Sequence, residues 1–385
     1  MTEPRSGPLA GIRVLEVGHI LAGPFGGMLL ADLGADVIKI EPIGGDLSRQ
    51  VGAPTVDDHN VYFASLNRNK RSVHIDLTTS DGQAQLGELA ATANALLVNL
   101  RPSTIRKLGL DYESLRRFNP TIVCVALTGY GLDGPAAEWP AFDYVIQAIT
   151  GVAAMTGEPD GPPALAGYSA VDNSSGIMAA LGLVSKVLEG NGGQVDISLF
   201  DVMLSQLNYK AAAYLNGGDR PARQPLGAHA FYVPAQLFET ASGYLALFVT
   251  HDEFWRRLCQ EIGRPVWADD PRFATMRARS EHRAALVEEL GRELMRSSAA
   301  EWVERLRPLG LAAGEVVDLG DALDGDLARS SGMVMTVDTP AGPLRMVGNP
   351  IRCADAPPAY RPPPRLHEHT GEVIGERDGG RDHAS

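Results

Sequence analysis

Two rhythms of apolar and polar positions run through the first half of the chain. Short runs rich in Val, Ile and Leu recur at 12–17, 36–41, 72–76, 95–98 and 121–127, each of strand length. Stretches with helical spacing separate them: from Pro24, which suits a first helical turn, to about Leu33, then 81–93 and 103–108. Strand, helix and strand joined by short connections predict an α/β fold with a Rossmann-like parallel sheet covered by helices. The first turn, Gly18-His-Ile-Leu-Ala-Gly23-Pro-Phe-Gly26, does not spell the Gly-x-Gly-x-x-Gly fingerprint, so a dinucleotide is not expected.

Beyond residue 170 the pattern changes. An apolar helical stretch over 177–189 follows Asp172-Asn-Ser-Ser-Gly176, and an acid followed by small polar residues reads as a helix N-cap. Residues 216–225 are rich in turn formers and read as a linker. After it come hairpin strands at 235–240 and 243–249, then amphipathic helices at 253–262, 280–295 and 299–306. Strand character returns at 333–337 and 344–347, followed by a Pro-rich stretch at 356–364 and a polar tail over 375–385 that is expected to fray. The organisation read from this is a large domain over 1–215, a smaller α+β domain over 226–325, and a C-terminal segment over 330–385.

Composition narrows the function. A net charge of −13 over 385 residues disfavours nucleic acid or an anionic membrane surface as a partner, but leaves room for a local basic pocket. Three scattered cysteines, Cys124, Cys259 and Cys353, make neither a disulfide framework nor a zinc site. His367-Glu-His369 has a metal-like look but no third ligand, so no metal is expected. The first residues carry no apolar signal core and no run reaches membrane-span length, which points to a cytoplasmic protein.

Several motifs occur in a fixed order. Leu9-Ala-Gly11 leads to Ala22-Gly23-Pro24 and Leu33-Gly34-Ala35; Asn69-Lys70-Arg71-Ser72 and Asn99-Leu100-Arg101-Pro102 follow. Then come Phe142-Asp143-Tyr144, Met155-Thr-Gly157, Asp172, Gly190 to Asp196, Asp270-Pro-Arg-Phe273 and Glu368-His-Thr370. This ordered set resembles the class III CoA-transferase family, which includes formyl-CoA transferase, carnitine CoA-transferase and, as a side branch, 2-methylacyl-CoA racemase. The resemblance implies an interlocked homodimer in which the C-terminal segment crosses back onto the first domain.

It also implies a chemistry. Exchanging one CoA thioester for another needs no metal and no nucleotide cofactor; coenzyme A serves as substrate and product, with a small carboxylic acid as acceptor. A carboxylate nucleophile suits the task, because attack on a thioester carbonyl gives a mixed anhydride that the freed thiolate can reopen from either side. Asp172 aligns with the family's nucleophile, with the N–H groups of the Asn173–Gly176 turn as candidate oxyanion donors. The family's CoA contacts fall here on Leu21, Ala22, Ile75, Asn99, Leu100, Arg101, Lys107, Phe142 and Asp143. The basic clusters around Arg71 and Arg101 are candidate phosphate anchors.

The chain departs from formyl-CoA transferase at Leu21, where that enzyme has glutamine, and at Ile43, where it has arginine. It also lacks the four-glycine loop that some family members carry near His229, so Phe231 and Tyr232 are candidates for excluding water. His19, after the first strand, is either a site residue or a structural hydrogen-bonder. A racemase would carry a histidine where Phe142 stands, and the loosely aligned His251 takes the place of its glutamate. A non-catalytic CoA-binding subunit would lack the acid at 172.

Overall fold

Apolar side chains predominate on both faces of the four inner strands of a six-stranded sheet, as helices on both sides require. The structure, a computed structural model, describes residues 6–56, 59–340, 342–354 and 356–375. In chain order the first part runs β1 (Arg13–Val17), α1 (Ala22–Asp32), β2 (Asp36–Glu41), the two-residue pair β3 (Thr55–Val56) and β4 (His59–Asn60), α2 (Val61–Asn67) and β5 (Arg71–His74). It continues through α3 (Ser80–Ala90), β6 (Ala95–Val98), α4 (Pro102–Lys107), α5 (Tyr112–Leu115), β7 (Val123–Thr128), α6 (Asp143–Ile149), α7 (Ala170–Glu189), β8 (Gly193–Ser198) and α8 (Leu199–Gln206).

The six-stranded sheet has the order β5-β2-β1-β6-β7-β8, and every pairing is parallel. From β1 the chain works outward to β2 and β5, then returns to β6 on the other side. The order therefore reverses between β1 and β6, and the carboxyl ends of those strands open a crevice of the kind where ligands of doubly wound sheets bind.

The chain divides into two compact units. One comprises the residues up to 150, 167–212 and those from 328 onward; the other comprises 151–166 and 213–327. Segment 151–166, inside the stretch read as one large domain, therefore groups with the second unit. α9 (Asn208–Gly217) runs through the boundary. The second unit carries β9 (Ala235–Glu239), β10 (Tyr244–Phe248), α10 (Asp252–Glu261), α11 (Met276–Glu281), α12 (Arg283–Leu294), α13 (Ala299–Leu306) and β11 (Ala312–Glu315). Its antiparallel sheet, ordered β11-β10-β9, packs on helices around Trp255, Phe273 and Trp302. In the first unit the C-terminal hairpin β12 (Val334–Thr339) and β13 (Gly342–Val347) buries Met335, Val337, Leu344 and Met346 against Ala64.

Three elements differ from expectation. The helix expected to begin at 177 begins at Ala170, and Asp172 is its third residue rather than its N-cap. The helix expected over 280–295 breaks at His282 into α11 and α12. β8 was not foreseen: Gly-Gln-Val-Asp-Ile-Ser lacks the continuous apolar run of the inner strands, because it lies at the sheet edge and is only half-buried. The tail expected to fray lies, past residue 375, outside the described residues.

α1 and α7 pack together on one face of the sheet, and glycine sets their separation. A Cβ on Gly176 would stand 2.6 Å from the Ala22 carbonyl oxygen, and one on Gly26 would stand 2.7 Å from the Gly176 carbonyl oxygen. Both neighbours are backbone, which cannot swing aside. Gly176→Ala should therefore push the helices apart and cost about 1–3 kcal/mol of stability, read as a lower denaturant midpoint. An unchanged midpoint would show that the helix pair has slack.

Candidate functional site

The crevice at the β1–β6 switch point holds a cavity of about 210 Å³. Its wall comes from residues 19–22 after β1, 99–102 after β6, 127–129 at the end of β7, the loop at 137–142, and Asp172 with Leu199. Of the residues nominated from sequence, Leu21, Ala22, Asn99, Leu100, Arg101, Phe142 and Asp172 are brought together here. Ile75 is buried just past β5 and Lys107 sits in the last turn of α4; neither lines the cavity. Asp143 does not line it either, but lies buried behind the start of α7.

The segment after β1 is held in an unusual shape. Ile20 has φ of 68°, a left-handed conformation that a β-branched residue adopts only under constraint. Asn99 supplies one side of that constraint: its Oδ1 accepts the His19 N–H at 3.0 Å and its Nδ2 donates to the His19 carbonyl at 3.0 Å. Gly18 makes room for that amide, since a Cβ there would overlap Asn99 Oδ1.

Buried charges supply the other side. Lys39 donates to the Gly18 carbonyl at 3.0 Å and pairs with Glu16 at 2.9 Å and Asp46 at 2.8 Å. Glu16 reaches Lys70 at 2.7 Å, and Asp46 accepts the Ile20 N–H at 3.0 Å. These four side chains are fully buried or nearly so. Burial works against the charge of Lys39, yet Glu16 and Asp46 together raise its pKa. Burial pushes Lys70 down to about 8; burial works to raise Asp46, but the Lys39 charge together with hydrogen bonds from Lys39 and from the Ser48 and Ile20 N–H groups holds it at about 2. His19 is pushed down by burial, partly offset by Asp46, so it stands in the wall as a neutral ring at physiological pH.

Asp172 lies half-buried in the same cavity wall. The α7 N-terminus is not capped by its own flanking residue: the Ser169 side chain makes no cap bond. Instead Asp143 Oδ2 accepts the N–H groups of Val171 at 2.7 Å and of Asp172 at 3.1 Å, while its Oδ1 accepts from Gln147 Nε2 at 2.5 Å. Burial first, and the Asp143 charge second, push the Asp172 carboxyl up to about 7. The Asn173–Gly176 segment is helical, and Asn173 N–H already bonds to the Ser169 carbonyl, so it is not the open oxyanion turn that the sequence suggested. The first turn of α1 adds an N–H group to the wall, since helix geometry leaves Ala22 without an intrahelical acceptor.

The Arg71 cluster lies elsewhere. Arg71 starts β5 at the amino-terminal edge of the sheet, buried and paired with Asp36 at 2.6 Å and Glu372 at 3.1 Å. His367, Glu368 and His369 tie the C-terminal segment down: His369 Nδ1 accepts from the Ser72 N–H, Glu368 from the Arg365 N–H, and His367 bonds the Pro42 carbonyl. No group of three candidate metal ligands occurs among the described residues. In the second unit, His229 Nδ1 accepts the N–H groups of Phe231 and Tyr232 and so orders its own loop.

The chain has relatives among known proteins. The model of CoA-transferase family III matches residues 9–370. The chain is 36% identical to the succinate–glutarate CoA-transferase of Agrobacterium fabrum over 97% of this chain and 96% of that one. It is 33% identical to the acetyl-CoA:oxalate CoA-transferase of Acetobacter aceti, covering 94% of each. A crystal structure of a CAIB/BAIF family protein from Brucella suis superimposes with a TM-score of 0.84 at 33% identity, covering 97% of this chain and 100% of that one.

Arg101 and Arg71, similar in sequence context, thus differ in placement. Arg101→Ala should weaken CoA binding, by about three- to thirtyfold at low salt and less at high salt, as an exposed phosphate contact would. Arg71→Ala should leave CoA affinity unchanged and lower the melting temperature instead. Titration calorimetry at two salt concentrations separates the cases, and equal losses of affinity in both variants would contradict the placement.

Proposed function

The chain belongs to CoA-transferase family III, and from that premise we propose that it moves coenzyme A from an acyl-CoA thioester to a carboxylic acid through covalent intermediates on Asp172. The observation that carries the role of Asp172 is its position: a half-buried carboxylate that lines the same switch-point cavity as the start of α1.

The steps follow from carboxylate chemistry. An Asp172 oxygen attacks the thioester carbonyl, the C–S bond breaks, and CoA leaves as thiolate, giving a mixed anhydride. The thiolate then attacks the Asp172 carbonyl, which releases the first carboxylate and leaves CoA on Asp172 as a thioester. The acceptor carboxylate attacks that thioester, a second anhydride forms, and the thiolate takes the new acyl group away. Each addition places negative charge on a carbonyl oxygen, and the Ala22 N–H at the positive end of α1 is the donor best placed to meet it. Trp139 and Phe142, both largely exposed at the cavity, offer flat faces for the adenine, and Arg101 a charge for phosphate. A racemase would need a proton carrier in the place that Phe142 holds.

The homodimer expected from family resemblance also has support in the surface. Adjoining helices of the first unit leave Val145, Ile149, Ile177, Met178, Leu181 and Leu204 exposed, an apolar face suited to a second copy of the chain. No helix among the described residues is long and apolar enough to cross a membrane.

Two outcomes are expected. Asp172→Asn should stay folded, bind CoA and lose transfer by about three orders of magnitude or more, while hydroxylamine traps an acyl adduct only in the parent, as peptide mass spectrometry would show. Because the Asp172 pKa is raised on folding, the ionised side chain opposes folding above pH 7, and that penalty fades as pH falls. Asp172→Asn should therefore melt higher than the parent at pH 8, a gain that a lost helix cap would not give. Separately, sedimentation should show a species of about twice 41.0 kDa, and a monomer at all concentrations would remove the dimer.

A further inference from the structure

Asp143 is 5% exposed, and no cation is bonded to it in the contacts described above. Its two oxygens accept three N–H hydrogen bonds, two from the backbone at the start of the 20-residue helix α7 and one from Gln147. That environment is built for the ionised form, with the helix dipole as its counterweight. One of the donors is the N–H of Asp172 itself, so the same bond that fixes Asp143 fixes the backbone of its neighbour.

The other charged or titratable groups around Asp172 are few. On the elements packed against α7, Asp32 closes α1 and pairs with Arg68, Cys124 is buried in β7, Asp196 of β8 accepts from the Leu132 N–H, and Asp201 of α8 bonds Ser198. α6 adds Tyr144 beside Asp143, and Lys186 pairs with Glu189 at the far end of α7 itself. Tyr62 of α2 feels the Asp172 charge, and His19 and Arg101 stand in the cavity wall. Asp143 is the fixed anion among them that touches the Asp172 backbone.

Taking Asp172 as the nucleophile, we propose that Asp143 is a positioning residue for the transfer: it holds the start of α7 and keeps a negative charge beside Asp172 that favours the acylated and thioesterified forms of that side chain over its free carboxylate. The balance of charge explains how. When Asp172 attacks a thioester, its electron pair forms the C–O bond and the C–S pair leaves with CoA, so the negative charge moves from Asp172 to sulfur. Repulsion from Asp143 is present before the attack and relieved as the bond forms, which lowers the barrier from the ground-state side. Both covalent forms are neutral at Asp172, so both gain against the free enzyme.

Asp143→Asn tests this, because its amide oxygen can still accept the Val171 and Asp172 N–H bonds while Gln147 turns its own oxygen to the new NH₂ group. In the parent, kcat/KM should rise with pH through about 7 as Asp172 ionises. In Asp143→Asn that limb should move down by about one pH unit or more, and the plateau should fall about tenfold or more. The fraction of enzyme trapped as adduct by hydroxylamine, with acyl-CoA and no acceptor, should fall as well. Asp143→Glu, which keeps the charge, should return the limb towards its parental position. A limb that stays in place in Asp143→Asn, whatever the loss in rate, would overturn the electrostatic role and leave only a structural cap. Retained turnover in Asp172→Asn would instead remove the nucleophile reading, so the two failures are distinguishable.

Discussion

The site depends on a buried ionic cluster that has no part in the chemistry. Glu16, Lys39, Asp46 and Lys70 come from four separate segments and meet beneath the turn that follows β1. Taking such charges out of water costs about as much as their mutual attraction returns, so the cluster is a weak source of net stability. What it supplies is direction. Lys39 fixes the Gly18 carbonyl and Asp46 fixes the Ile20 N–H, and between them the chain turns through a left-handed isoleucine to start α1 at the cavity. A turn made of glycine alone would reach the same shape but would not keep it.

That rigidity matters because two walls of the cavity come from different helices. Ala22 belongs to a helix that follows the turn, and Asp172 to a helix that packs on it through Gly26 and Gly176. The separation between Ala22 and Asp172 is thus set by a backbone contact between α1 and α7, not by flexible side chains. Asn99 closes the frame by pairing with both polar groups of the His19 backbone, which ties the β6 end of the crevice to the β1 end.

Much of this frame was legible in the sequence. Inner parallel strands are apolar on both faces, so β1, β2, β6 and β7 stood out as short runs, whereas the switch point depends on which strands lie side by side and came only with the structure. Charges inside those runs, Glu16 and Lys39, were the available sign of the cluster, since a charge in a buried strand must find a partner. The partners themselves were not legible, because Asp46 and Lys70 are brought in by tertiary folding. The same limit hid the true cap of α7: Asp143 lies 29 residues before Asp172, and only the packing of α6 on α7 brings it to the helix start. Lys70 and Arg71 misled for a related reason. A basic run reads as a surface anchor, yet here carboxylates from three other elements, Glu16, Asp36 and Glu372, bury it.

The two carboxylates at the start of α7 divide one resource between them. A helix N-terminus stabilises an anion through free N–H groups and dipole, and a nucleophile seated there would be a weak base with occupied lone pairs. Asp143 takes those N–H bonds, which leaves Asp172 with none of them and with a like charge nearby. In the proposed transfer the acid that forms and breaks bonds is therefore the one without those N–H bonds, and the acid that takes no part in bond-making is the one given them. Of the two, Asp172 lines the cavity and Asp143 does not. Burial of Asp172 works in the same sense, since a side chain that is neutral in both covalent forms loses little by leaving water, whereas its free carboxylate loses much. Geometry and electrostatics at this helix end thus favour the same species, the covalently occupied one, which is the species a two-stage transfer has to pass through twice.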